Sequence, residues 1–183
     1  MKIRLAQQLD DNSIVDGDGI RAVIWTQGCS HACLGCHNPN THSFTDGFLE
    51  EVSSINEKLS QNQIIDGITF SGGDPMFQIA SCLEIARYAK SLKLNVWCYT
   101  GFTYEELMIM SKMNKNLSEF LNNIDVLVDG KFELEKKDLT LKFRGSSNQR
   151  IINVKKSLKD KKVVIYRKYM NSKNKKSKEY LFV

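Results

Sequence analysis

The sequence predicts an α/β fold, an open, partial (βα) barrel built on a mostly parallel sheet. Three observations predict it. Apolar runs rich in β-branched and aromatic residues alternate with segments of helical periodicity over residues 20–128, the pattern of βαβ units with right-handed crossovers. Four core strands are clear, with one or two more at the ends, too few to close an eight-stranded barrel. Each of the four is followed by a loop carrying cysteine or glycine. In a parallel sheet those strand ends lie on one face, where α/β enzymes place their sites.

Residues 1–9 have mixed polarity and suit a short edge strand. DDNSIVDGDG at 10–19 is rich in turn formers and reads as a loop. Its start resembles an EF-hand loop but lacks the later oxygen ligands, and its two glycines fall short of a dinucleotide fingerprint. IRAVIWTQ at 20–27 is the first core strand, ended by Gly28. After the cysteine-bearing loop, Asn38-Pro39-Asn40 makes a turn. Thr45 or Asp46-Gly47 then caps a helix over 48–61, with Glu50 and Glu51 near its positive end. The second core strand is 64–70, followed by Ser71-Gly72-Gly73-Asp74-Pro75. A helix over 76–92 carries Ile79, Cys82, Leu83, Ala86 and Ala89 at helical spacing, and Pro75 fits its first turn. The third strand, 94–99, ends at Thr100-Gly101. Thr103 and Glu106 match a capping box for a helix over 104–121. The fourth strand, 124–128, ends at Asp129-Gly130. Regularity then fails through the polar stretch 131–148, with a turn at 145–148 and apolar runs at 150–154 and 162–166. Trp25 and Trp97 fall in strands and read as core aromatics, and Cys82 and Cys98 as small core residues.

At 183 residues, 42% hydrophobic and 26% charged, the chain suits one globular domain with its own core. We expect a single domain over 1–170 and a basic, flexible tail over 171–183. Residues 1–154 hold 15 Lys and Arg against 19 Asp and Glu, whereas residues 155–183 hold 11 against 2. The net charge of +5 therefore describes the end of the chain and not its core. NSKNKKSK at 171–178 has almost nothing apolar and suits a solvated extension better than a nucleic-acid surface. No apolar run approaches the ~20 residues that span a bilayer. Five cysteines without a signal peptide point to a reducing, cytoplasmic setting.

The chemistry centres on CSHACLGC, which sets Cys29, Cys33 and Cys36 in one tight loop. Thiolates so placed suit zinc or iron–sulfur iron. A zinc site needs a fourth ligand, which His31, His37 or His42 could supply. A [4Fe–4S] cluster on three cysteines keeps one iron without a protein ligand. Reduced cysteines without a metal are the third reading. Gly72 and Gly73 lack Cβ atoms, so backbone there can approach a ligand, although any tight strand–helix turn uses such residues.

The Cys-x3-Cys-x2-Cys spacing resembles the radical S-adenosylmethionine (SAM) superfamily, in which the open iron chelates SAM. Ser71-Gly72-Gly73-Asp74 resembles its Gly-Gly-Glu element, with Asp74 in place of Glu. The runs VDGDGIRAVIWTQGC, CLGCHN, TFSGGDP, YTGFTYEEL, DVLVDGKFE and RGSSNQR, in that order, resemble the activating proteins of anaerobic ribonucleoside-triphosphate reductase over about residues 10–154. That resemblance implies a radical-SAM-type partial barrel and a [4Fe–4S] cluster on Cys29, Cys33 and Cys36. It implies SAM cleavage with an electron from a flavodoxin-like or ferredoxin-like donor, and a glycyl radical installed on the partner reductase. Around SAM it implies Gly35, Cys36 and His37 near the adenine and Gly72, Gly73 and Asp74 at the amino group. Tyr99 and Thr100 would line the ribose or methionine side, and Asp129 and Lys131 would meet the carboxylate or a cation. Arg144 and Arg150 suit a structural or docking role. The competing readings are an activase of another glycyl-radical enzyme, another radical SAM enzyme, or a zinc module that binds nucleic acid.

Overall fold

The computed structural model describes residues 1–170. It is a mixed α/β fold with one open sheet whose four central strands are parallel. These are β3 (Arg21–Thr26), β5 (Gly67–Gly72), β6 (Asn95–Tyr99) and β7 (Val126–Asp129). The flanks are antiparallel. β1 (Lys2–Leu5) joins β3 to the edge strand β4 (Phe48–Glu51), β2 (Asp10–Ser13) also pairs with β3, and β8 (Arg150–Asn153) pairs with β7. The sheet is not closed.

The alternating side chains of each strand separate two faces. Ala22 and Ile24, Ile68 and Phe70, Val96 and Cys98, and Leu127 are fully buried against a helix layer. That layer comprises α1 (Val52–Gln61), α2 (Ile79–Ser91), α3 (Tyr104–Ser111), α4 (Lys115–Asn123) and α5 (Val154–Asp160). Phe70 meets Phe120 of α4 edge-on at 5.4 Å, an aromatic contact that contributes about 1 kcal/mol beyond burial. Trp97, Val126, Val128 and Ile151 face the other way. There Tyr169 of the short α6 (Arg167–Met170) and Phe143 close on Trp97, with rings 5.3–5.5 Å apart.

A buried cation seals the amino end of the parallel strands. Arg21, 1% exposed, donates to Thr69 Oγ1 (2.6 Å) and to the carbonyls of Asp18, Ile68 and Asn95, and lies 5.4 Å from the Trp97 ring. Burial pulls its pKa down to about 10, still high enough to keep it charged at neutral pH. The cation–π contact and four acceptors offset part of the desolvation.

Three expectations need correction. The helix expected over 48–61 begins at Val52; residues 48–51 form β4, because all four pair with β1. The polar residues 10–13 form a strand, not a loop. The single helix expected over 104–121 is two, since Asn114 starts α4 by accepting from the Leu117 amide. The Thr103–Glu106 capping box is present, and Cys82 and Cys98 are core residues. The basic tail expected over 171–183 lies outside the described residues. Among the described residues no helix is long and apolar enough to cross a membrane.

Candidate functional site

A cavity of about 460 Å³ opens where the four parallel strands end, within the range of small-molecule sites. Cys29, Cys33 and Cys36 line it together with Ser71–Asp74, Tyr99–Gly101 and Gly130. The four loops read from the sequence as sharing one face therefore do share it.

Local geometry explains how the cysteine loop is held. The Gly28 and Cys29 amides donate to the carbonyls of Thr41 (2.8 Å) and His42 (3.1 Å), and the Cys36 amide donates to the Cys33 carbonyl (3.1 Å). Gly35 takes φ +73° at the tight turn between Cys33 and Cys36, a conformation that favours glycine. The Asn38 amide points at Cys36 Sγ (3.4 Å). All three thiols are free and half-buried, and burial pushes the Cys29 thiol up.

The two glycines of the next loop line the cavity and also set how that loop packs on its neighbour. Gly72 has φ +96°, and a Cβ there would sit 2.5 Å from the Thr26 carbonyl oxygen. A Cβ on Gly73 would press on the backbone of Gly28. The space a side chain would need is filled by the end of β3 and the start of the cysteine loop. The glycines let two loops pack backbone against backbone, with the Gly73 and Asp74 amides donating to Thr26 (2.7 Å) and Gly28 (2.9 Å). Asp74 itself is 1% exposed, with its carboxylate bonded to His31 Nε2, Thr100 Oγ1 and the amides of Met76 and Gly101.

His37 and Tyr99 line the cavity as well, and burial pushes the Tyr99 phenol up. Gly35, Asp129 and Lys131 do not line it. Gly35 faces Leu134. Asp129 points to the helix side, where it accepts from the Tyr104 amide (2.7 Å) and pairs with Arg150. Lys131 is exposed to solvent. Among the described residues, Arg144 lines the cavity. Its guanidinium donates to the carbonyls of Ser147, Gln149 and Met170, while its buried Nε–H has no partner among the described residues.

Several lining residues were not foreseen. Trp25, expected in the core, lines the cavity, and its indole N–H is buried without a partner among the described residues. Asp16 from the turn-rich stretch also lines it, its carboxyl pushed up by burial. Phe132, Phe143 and Gln149 form the far wall, with Phe132 4.9 Å from the His37 ring. Gln149 holds that wall by donating to the Gly130 carbonyl and accepting from the Gly145 and Ser146 amides. The strand parity of Trp25, shared with Val23, was available in the sequence; the role of 132–149 was not, because it lies in long-range loop contacts.

The donor set can be tested against a metal centre. Among the described residues no three His, Cys, Asp or Glu side chains converge on a single ion, and His31 is bonded to Asp74. A cubane cluster takes each thiolate on a different iron, and Cys29, Cys33 and Cys36 are free, come from one loop and line one cavity.

Comparison with known proteins gives the family. A protein-family model described as "4Fe-4S single cluster domain" matches residues 15–152. The anaerobic ribonucleoside-triphosphate reductase-activating protein of Pasteurella multocida (strain Pm70) is 38% identical over 144 residues, covering 74% of this chain and 89% of that protein. The protein of that name from Haemophilus influenzae (strain ATCC 51907 / DSM 11121 / KW20 / Rd) is 35% identical over the same shares. The one from Enterobacteria phage T4 is 34% identical over 146 residues, 75% of this chain and 86% of that protein. With three thiols in one strand-end cavity and this likeness over most of its length, the chain belongs to the family of anaerobic ribonucleoside-triphosphate reductase-activating proteins, which here carries an iron–sulfur domain.

Proposed function

We propose that the chain is a radical SAM activase that installs a glycyl radical on an anaerobic ribonucleoside-triphosphate reductase. One observation carries the reading: the three free thiols share a single cavity with the Gly-Gly-Asp and Tyr-Thr-Gly loops at the ends of the parallel strands. The open sheet is then a partial barrel of the radical SAM type, within a single domain over 1–170. Cys29, Cys33 and Cys36 hold a [4Fe–4S] cluster. The bound cluster, given one electron by a flavodoxin-like or ferredoxin-like donor, supplies the reductive cleavage of SAM to methionine and a 5′-deoxyadenosyl radical that takes a Cα hydrogen from a glycine of the partner.

The protein's own part is binding, orientation and exclusion of water. Cys36 and His37 form one side of the SAM pocket, and Tyr99, Thr100 and the Gly72–Gly73 backbone form the other. Phe132 and Phe143 screen the interior from solvent. Gly35 acts by shaping the loop, not by touching the ligand. Asp129 and Lys131 do not line the cavity, and the proposal gives them no direct part in binding.

The test is anaerobic reconstitution with ferrous iron and sulfide, followed by metal analysis, EPR of the reduced protein, and detection of 5′-deoxyadenosine. Four irons per chain and SAM-dependent 5′-deoxyadenosine are expected. Replacement of Cys29, Cys33 or Cys36 by Ala should abolish both. Cys82→Ala should keep both and cost about 1 kcal/mol of stability, as for a small buried group. Stoichiometric zinc without iron would overturn the reading.

A further inference from the structure

One carboxylate joins three of the four loops around the cavity. Asp74 Oδ1 accepts from the Met76 amide at 3.0 Å, which starts the turn into α2. Asp74 Oδ2 accepts from His31 Nε2 (2.8 Å), Thr100 Oγ1 (2.9 Å) and the Gly101 amide (2.9 Å). His31 belongs to the cysteine loop, between Cys29 and Cys33; Thr100 and Gly101 end the third parallel strand. An ionised carboxylate offers about four acceptor sites, and four donors already meet this one. Three of these donors meet Oδ2 and one meets Oδ1, and at 1% exposure almost none of the carboxylate faces an arriving ammonium group.

The surroundings are built for His31 in the same way. Its side chain is 8% exposed, packed edge-on to Phe102 at 4.6 Å and tilted against Phe77 at 6.0 Å. Gly101 makes room for it, since a Cβ there would lie 2.7 Å from His31 Nε2. Thr100 Oγ1 accepts from the Phe102 amide (3.2 Å) while donating to Asp74, so the ring that supports His31 is tied to the same carboxylate.

We infer that Asp74 is a positioning residue: its carboxylate fixes the cysteine loop through His31 and the third-strand loop through Thr100 and Gly101, and does not itself take the SAM amino group. The inference rests on the proposed function for the identity of the ligand. The amino group is then met by other groups of the cavity wall. Asp cannot be exchanged for Glu here, because a carboxylate one methylene further out would leave its four donors behind.

Two measurements test this. The first is hydrogen exchange on the cluster-free, reduced chain. Asp74→Ala should speed exchange about tenfold in both 29–36 and 100–103, the loss expected for a buried charged hydrogen-bond network, while α4 stays protected. His31→Ala should loosen 29–36 to the same degree, and His31→Gln, which puts an N–H donor at similar reach, should restore protection. If Asp74→Ala does not fold, Asp74→Asn serves, keeping one acceptor oxygen and losing the charge. The second is SAM binding to the reconstituted protein, read from the EPR change of the reduced cluster. Asp74→Ala, Asp74→Glu and His31→Ala should weaken binding alike, and the Ala double variant should be no weaker than either single one. Unchanged exchange in 29–36, or SAM binding lost in Asp74→Ala but kept in His31→Ala and Asp74→Glu, would overturn the inference. Failure of the wild-type chain to take up iron or SAM would instead sink the proposed function, and the exchange result would still decide the role of Asp74.

Discussion

Replacing Asp129 by Ala separates a structural role from a ligand role with a measurable size. Asp129 is 1% exposed. Its carboxylate accepts from Arg150 Nε (2.9 Å) and Nη2 and from the Tyr104 amide (2.7 Å) at the start of α3. Without it, the buried Tyr104 N–H loses its partner, at about 1–3 kcal/mol. Arg150 keeps Glu105 through two bonds (3.0 and 2.6 Å) and is 28% exposed, so its loss is limited to about 1 kcal/mol. The sum is about 2–4 kcal/mol, or a fall of about 4–16 °C in Tm at the sensitivity of a domain this size. Arg150→Met should be worse, about 3–5 kcal/mol, because it strands a buried carboxylate. Urea and thermal unfolding of the cluster-free chain read the stability, and EPR reads SAM binding after reconstitution. A loss below about 1 kcal/mol combined with weakened SAM binding would refute the reasoning and return Asp129 to the ligand set.

Gly72→Ala should destabilise by more than about 1 kcal/mol, since it combines positive φ with a clash against the Thr26 carbonyl; iron uptake at equal folded fraction reads the local effect. Tyr169→Ala should cost about 3 kcal/mol in urea unfolding, because its ring packs on Trp97 and Phe143. Removing residues 171–183 should leave 5′-deoxyadenosine formation and its salt dependence unchanged. The acid limb of stability should depend on Asp125. Burial raises its pKa, but Lys155, Lys90 and the Val96 amide outweigh this and hold it below the ordinary carboxyl range. A depressed carboxyl contributes stability that is complete above its unfolded pKa and lost as pH falls through the folded value. Lys90→Met should therefore reduce the pH dependence of unfolding below about pH 4.

What could be read from the sequence was whatever local pattern decides. The four parallel strands have dense β-branched cores, and α2 keeps strict helical spacing, so both were visible. β4 was not: Phe48-Leu49-Glu50-Glu51 has helical composition, and only pairing with β1, more than forty residues away, makes it a strand. The split of α3 from α4 turns on the Asn114 cap, which polar neighbours hid. At the site, spacing alone brought the cysteines together. The position of Asp129 away from the cavity was present in the sequence, because alternation along β7 puts it with Leu127 on the helix side and Val126 and Val128 on the other. Asp74 was placed at the cavity, but no local pattern tells that its carboxylate is already occupied by two other loops.

The sealed amino end of the sheet has a consequence for the order of events. Arg21, Trp97 and Tyr169 pack together at that end, and the cavity opens at the opposite one, where the parallel strands end. In the proposed reaction, whatever reacts inside must pass the rim on which the reductase seats its glycine. SAM must therefore load before the partner docks, and methionine and 5′-deoxyadenosine cannot leave until it withdraws. On that proposal turnover would be a queue, in which each docking event permits at most one radical transfer and a tightly held partner slows the cycle by trapping its products.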